Sequence, residues 1–223
     1  MGGILLLTNT ADSPIVVDEN VPTAGTGDEM PSNPDANGGV DSSFNGSKDL
    51  DTTKSEATWT GSKTLIKDYY DKGTLNIKSG TAVFASGMLI GGEVVFDMTS
   101  IATTSTGKGD DADTTSKMAG HLKSPDFFDA TAFPEAKFVI KSAAKESDNT
   151  YLVTGDLTIK GKTNSESFPI EVTTLNGVAT ISGTATIDRT VYDVKFGSGK
   201  FFTDLGDNVI NDEFTLEFKA VTK

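Results

Sequence analysis

The chain has 223 residues, 36% of them hydrophobic, and a formal net charge of −13. Residues 1–53 hold nine acids against the single base Lys48, so they carry −8 and the remainder −5. Such a balance argues against nucleic acid and against electrostatic docking to an anionic membrane, both of which need a basic face. The lack of cysteine removes disulfides, zinc thiolates, iron–sulfur ligation and thiol catalysis.

At the N-terminus, Ile4–Leu7 gives four apolar residues with no basic residue before them, so no intact signal peptide is expected. No run approaches the ~20 apolar residues of a transmembrane helix. Residues 8–53 are rich in Ser, Thr, Asp, Gly, Asn and Pro, too polar to offset the entropy of ordering. A flexible acidic tether is therefore expected over 1–53, with Ile15–Val17 as its one candidate for pairing on a sheet edge. The globular domain is expected over 54–223.

From Lys54 onward the apolar residues recur with period two. Val94, Phe96 and Met98 share one face, opposite Asp97 and Thr99. Phe138 and Ile140 alternate with Lys137 and Lys141. Tyr151, Val153, Gly155, Leu157 and Ile159 form another inward row, and Phe214, Leu216, Phe218 and Ala220 the last. Strict alternation means one buried and one wet face, the mark of antiparallel sheet. Ser79-Gly80, Gly91-Gly92, Asp148-Asn149 and Asn176-Gly177 are read as turns between strands. Asn176-Gly177 in particular signals a two-residue type I′ hairpin. Many short strands of this kind predict a sandwich or a closed barrel.

One helix start is expected at Ser124-Pro125-Asp126-Phe127-Phe128, with Ser124 as N-cap and Pro125 at the first helical position. Lys117–Leu122 is expected to form a short turn before it. Asp110, Asp111 and Asp113 lack the glycine and glutamate of an EF-hand loop and are read as a solvated loop. Gly197-Ser198-Gly199-Lys200 lacks the spacing of a phosphate loop. Asp188-Arg189 is read as pinning a strand end, with a functional charge pair near a ligand as the alternative. His121, the single histidine, is expected to fix its loop through nearby backbone or carboxylate; contact with a ligand head group or a catalytic role is the sharper alternative.

Twelve of the thirteen phenylalanines lie in 54–223. Phe84, Phe96, Phe127, Phe128, Phe138, Phe201, Phe202, Phe214 and Phe218 are candidates to line an interior. An eight-stranded barrel either fills that interior or holds one ligand in it, and periodicity does not separate the two.

The run His121-Leu122-Lys123-Ser124-Pro125-Asp126-Phe127-Phe128-Asp129, followed by Phe133-Pro134 and Phe138, resembles a signature of the YceI-like family. So does Thr154-Gly155-Asp156-Leu157-Thr158-Ile159-Lys160-Gly161-Lys162-Thr163. Trp59-Thr60-Gly61-Ser62-Lys63, Phe96–Ile101 and Ile187-Asp188-Arg189 extend the resemblance over almost all of 54–223. The resemblance implies an all-β, lipocalin-like antiparallel barrel of about eight strands with a short helix. It implies non-enzymatic binding or transport of a polyisoprenoid, often a quinone tail, with no cofactor and no metal. The implied ligand-binding residues are Phe84, Phe96, Met98, Phe127, Phe128, Phe138, Ile140, Phe214, Phe218 and His121. Export to the periplasm or cell envelope is implied too. The variant resembles that of Bacteroidetes-type bacteria, whose members are often anchored by a lipid on a cysteine, here upstream of the sequence. A barrel without ligand, serving as a structural or protein-interaction module, is the alternative function. Two positions depart from the family pattern: Tyr70 stands where relatives commonly have His, and Asp193 where they often have Gly.

Overall fold

A computed structural model describes residues 44–223. Expectations for the flexible tether before Phe44, including pairing by Ile15–Val17, lie outside the described residues.

The strands are β1 Gly46–Asp49, β2 Glu56–Ser62, β3 Tyr70–Ala85, β4 Met88–Ser105, β5 Glu135–Lys145, β6 Thr150–Ile159, β7 Lys162–Leu175, β8 Val178–Asp188 and β9 Glu213–Val221. A single helix of more than one turn, α1 Ala112–Lys123, lies between β4 and β5 among the described residues. Strands β2 to β9 pair in sequence order, and β9 returns to β2, so eight strands close into an antiparallel barrel. Closure leaves no open edge on the ring. The inward rows fall where alternation placed them: Phe96, Met98, Phe138, Tyr151, Val153, Leu157, Ile159, Leu216 and Ala220 are all buried.

Asn176-Gly177 is the expected tight hairpin, with φ of 52° and 79° at its two central residues and Leu175 paired to Val178. Ser86-Gly87 and Lys160-Gly161 repeat the geometry, with φ of 50° and 74° and of 49° and 71°. Ser79-Gly80 and Gly91-Gly92 are not turns; they lie inside β3 and β4. At Gly92 φ is +145°, and a Cβ there would sit 2.3 Å from the Thr81 carbonyl oxygen. That glycine serves the close approach of two strands.

The expected boundary at 53/54 falls inside the barrel. Strand β1 pairs with the second half of β3, from Gly46 opposite Phe84 to Asp49 opposite Thr81. Strand β2 pairs with its first half, in the same direction. Together they form one long strand interrupted by the turn at Asp51–Lys54. In that turn Asp51 accepts hydrogen bonds from the Thr53 amide and hydroxyl and pairs with Lys54. Phe44 and Leu50 are buried, and Phe44 packs edge-on against Phe84 with centroids 4.8 Å apart. The polar turn and the many acids upstream disguise these two core residues in composition.

The helix also sits earlier than expected. Its N-cap is Asp111, whose carboxylate accepts from the Asp113 and Thr114 amides, and Ser124 is its C-cap. The acidic loop is thus the helix start, while Ser124-Pro125-Asp126 follows its end as a turn. Asp111 and Asp113 are favoured there because the first turn of a helix carries partial positive charge.

Strand directions sort the connections. The tight turns at 86–87 and 176–177 and the loop 146–149 lie at one end of the barrel. The segments 63–69, 106–134 with α1, and 189–212 lie at the other, with the hairpin 160–161.

Candidate functional site

The end bearing the long connections opens into a cavity of about 440 Å³. Its wall is apolar: Trp59, Leu75, Met98, Ile101, Leu157, Ile187, Phe214 and Leu216 come from the strands. Met118, His121 and Leu122 of α1 and Phe127 and Phe128 after it form the roof. A smaller cavity of about 80 Å³ lies deeper, among Phe96, Phe138, Ile140, Phe168 and Phe218, and shares Leu157, Ile187 and Leu216 with the first. Here Phe168 sits between Phe138 and Phe218, tilted to the first and edge-on to the second, at 5.1 and 6.0 Å.

Nine of the ten residues anticipated from the sequence therefore meet one of these two spaces. Met98, His121, Phe127, Phe128 and Phe214 line the upper one, and Phe96, Phe138, Ile140 and Phe218 the lower. Phe84 lines neither; it packs on Phe44 near the far end of the barrel. Phe201 and Phe202, also read as interior candidates, are each 49% exposed.

Sequence reasoning missed Trp59, Leu75, Met118, Phe196 and Ile210. Trp59 had a findable neighbour in Gly73. A Cβ on Gly73 would lie 2.6 Å from the Trp59 ring and 1.8 Å from the Ala102 carbonyl oxygen. The indole N–H donates to that same oxygen at 3.2 Å, so the bare backbone at Gly73 leaves room for the ring in the cavity wall.

Polar groups gather at the mouth: Lys63, Tyr69, Asp71, Lys108, Asn208 and Asn211. Burial raises the Asp71 carboxyl above the usual aspartate value, opposed by the Gly107 N–H and by Lys63 and Lys108. Burial also raises the Tyr69 phenol, helped by Asp71. His121 sits at the roof with its ring edge-on to Phe127 and Phe196, at 4.9 and 4.7 Å. Its Nε2 lies 3.5 Å from Asp126, and its carbonyl accepts from the Ser124 amide and hydroxyl. Of the expected loop-fixing contacts the imidazole itself makes only the approach to Asp126; the Ser124 bonds belong to the His121 main chain, and the ring also faces the cavity.

Arg189 holds the remaining wall. Its guanidinium is buried and donates to the carbonyls of Val194, Phe196, Ile210 and Asn211 at 2.8 to 3.2 Å. Burial lowers its basicity, and Asp212 and Asp188 act against that. Asp188 itself caps the turn Arg189–Tyr192. The pair thus does more than pin a strand end: it fixes the whole excursion 193–212 beside the mouth.

The YceI-like domain family matches residues 49–222. The chain belongs to the YceI-like family. Among curated relatives, UPF0312 proteins of Staphylococcus aureus (strains USA300 and NCTC 8325) are 41% identical over 86 residues, which cover 34% of this chain and 46% of each of them. The chain spans about half the length of the curated relatives it matches. Among solved structures it is similar to BcnA of Burkholderia cenocepacia, with a TM-score of 0.61 and 23% identity over 78% of this chain and 99% of that one. It is also similar to a polyisoprenoid-binding domain from Saccharophagus degradans implicated in plant cell wall breakdown. That match has a TM-score of 0.59 and 16% identity over 80% of this chain and 98% of that one. At these identities the two structures share its fold.

In this YceI-like barrel the two departures have local outcomes. Tyr70 is 48% exposed at the start of β3, so its ring is not part of the cavity wall. Asp193 has φ of 63° and ends the turn Arg189–Tyr192 in the left-handed region, a conformation that glycine adopts without steric cost.

Proposed function

We propose that this YceI-like protein binds the tail of an isoprenoid lipid, polyprenyl or isoprenoid-quinone-like, within its barrel and carries it without chemical change. The observation that carries this reading is the open cavity of about 440 Å³, walled mostly by apolar side chains, with most of its polar groups gathered at the mouth and Arg189 buried in the wall. Its size lies within the ~300–1,000 Å³ of small-molecule sites. Each buried CH₂ contributes roughly 0.8 kcal/mol, so a tail alone supplies a large gross driving force. Ordering the ligand takes back much of it. The Saccharophagus degradans neighbour, a polyisoprenoid-binding domain, agrees in ligand class. The work of such a carrier lies in the cell envelope, and we place the protein there as an exported, periplasmic chain, tethered by its acidic N-terminal segment, with a lipid on an upstream cysteine as one means of anchoring.

A second reading, a ligand-free barrel serving as an interaction module, is favoured by one observation: Phe138, Phe168 and Phe218 already fill much of the lower half. Organic extraction and native mass spectrometry of the purified full chain decide between them. Trp59 is the only tryptophan and lies in the wall, so titration with the polyprenol solanesol should change its emission saturably. Protein that retains no lipid, and whose emission ignores solanesol, would favour the second reading.

A further inference from the structure

We infer that the rim around the cavity mouth is a docking face for an uncharged or zwitterionic lipid bilayer, which it meets by inserting aromatic side chains. Exposed large apolar side chains gather at this end. Leu65, Tyr70, Val191, Phe196, Phe201 and Phe202 belong to it, six of the ten such residues among those described. All three exposed phenylalanines sit on the one excursion 193–212. That excursion is held from below: Arg189 grips the Val194, Phe196, Ile210 and Asn211 carbonyls, and the Ile210 amide donates to Gly197 at 2.8 Å. The neck is fixed, while the rings of Phe201 and Phe202 project into water.

A bilayer suits this face for two reasons. First, the apolar surface is continuous with the cavity: Phe196 both lines the mouth and is 40% exposed. An apolar tail can therefore pass from hydrocarbon to cavity without crossing water. Second, charge and ring are arranged as at a membrane interface, where amphipathic side chains keep an apolar body below and a charged end in the headgroup layer. Lys195 lies over the Phe201 ring at 5.0 Å. The excursion also carries Asp193, Asp204, Asp207 and Asp212 against Lys195 and Lys200, so it offers no basic excess for anionic lipid. Insertion, not charge, drives the contact.

This inference rests on the proposed lipid ligand for its purpose, and the test separates the two. The full chain is floated with phosphatidylcholine vesicles at about 0.1 M and about 1 M NaCl, where screening lengths are ~10 and ~3 Å. The variant carrying Phe201→Ser and Phe202→Ser is run beside it. Solanesol uptake is measured from the same vesicles and from detergent micelles. The wild type should float at both salt concentrations. The double variant should partition at least about tenfold more weakly, since each inserted ring contributes on the order of a tenfold effect. It should take up solanesol more slowly from vesicles and equally from micelles. Wild type that stays with the bulk, or is stripped by salt, overturns the inference. So does a double variant that floats equally well, or one whose only change is loss of self-association. Wild type that floats yet takes up solanesol by neither route supports the docking face and removes the ligand reading.

Discussion

Arg189 shows what a single residue can do that its sequence neighbourhood does not announce. The sequence offers Asp188-Arg189 as an adjacent charge pair, which at a surface contributes only ~0–1 kcal/mol. In the structure the guanidinium instead satisfies four carbonyls of a loop that has little regular structure of its own. Nothing in hydrophobic periodicity says where loop carbonyls point, so this role was not legible. Arg189→Ala should leave those oxygens without this donor, with Asp212 still paired to Lys200 at 3.0 Å, and cost about 3–5 kcal/mol, the usual loss when one partner of a buried charged network is removed. A urea midpoint unchanged from wild type would refute the assignment. His121 is the contrasting case. As the only imidazole it was legible as a candidate, but its contacts with Phe127, Phe196 and Asp126 are those of a wall residue. His121→Ala should weaken solanesol binding by no more than about tenfold, because one hydrogen bond is worth ~0.5–1.5 kcal/mol net. Complete loss of binding in a folded variant would assign this histidine a dominant role in the site.

At the scale of elements, period-two alternation placed the strands well, because a barrel wall has one wet and one dry face along its length. It failed where a strand is broken or a glycine is misread. The interrupted strand β1–β2 was cut at residue 53 because Asp51, Thr53 and Lys54 make a polar turn in its middle, with Phe44 and Leu50 stranded among acids upstream. Removing residues 1–53 should therefore destabilise the barrel by several kcal/mol, roughly 1.5–3 for each of the two buried side chains. The comparison is removal of residues 1–43 alone, which leaves both in place; equal denaturation midpoints for the two truncations would refute a packed β1. The turn itself gives a pH signature. Hydrogen bonds from Thr53 and the nearby Lys54 lower the Asp51 carboxyl from 3.8 to about 2. A depressed acid contributes stability that is fully present above its unfolded value and lost as pH falls through its folded one. The stability gap between wild type and Asp51→Asn should thus be constant above about pH 5 and close towards pH 2. A gap that persists at pH 2 would mean that Asp51 acts by packing. The helix was misplaced for a related reason: Ser124-Pro125-Asp126 is a good start signal, but Ser also suits the turn that follows a helix, and Asp111 is the stronger cap.

Over the whole molecule, the family and the barrel were legible, as was the inward placement of nine of the ten residues implied as ligand-binding, while Phe84, Phe201 and Phe202 were wrongly read as lining the interior space. The roof and rim were not. Met118, Phe196 and Ile210 join the wall only once α1 and the excursion 193–212 fold over the opening, and alternation along strands carries no information about that. The ring has one further consequence. Almost every ladder joins strands that follow one another along the chain, and hairpins of this sort form in about 1–10 μs. The seam between β2 and β9 differs. There the Val221 amide donates to Ser55 at 3.0 Å across 166 residues of sequence, and Lys223 donates to the Asp49 carbonyl at 2.9 Å. Its closure entropy must be met before its contacts give any return. The meander should thus assemble early and the circle close last, with the reverse order on opening. Native-state hydrogen exchange checks this. Amides of β9 facing β2 should exchange through a partial opening cheaper than global unfolding, while those between β6 and β7 wait for the whole barrel. Equal protection at both ladders would mean that the ring opens only as a unit.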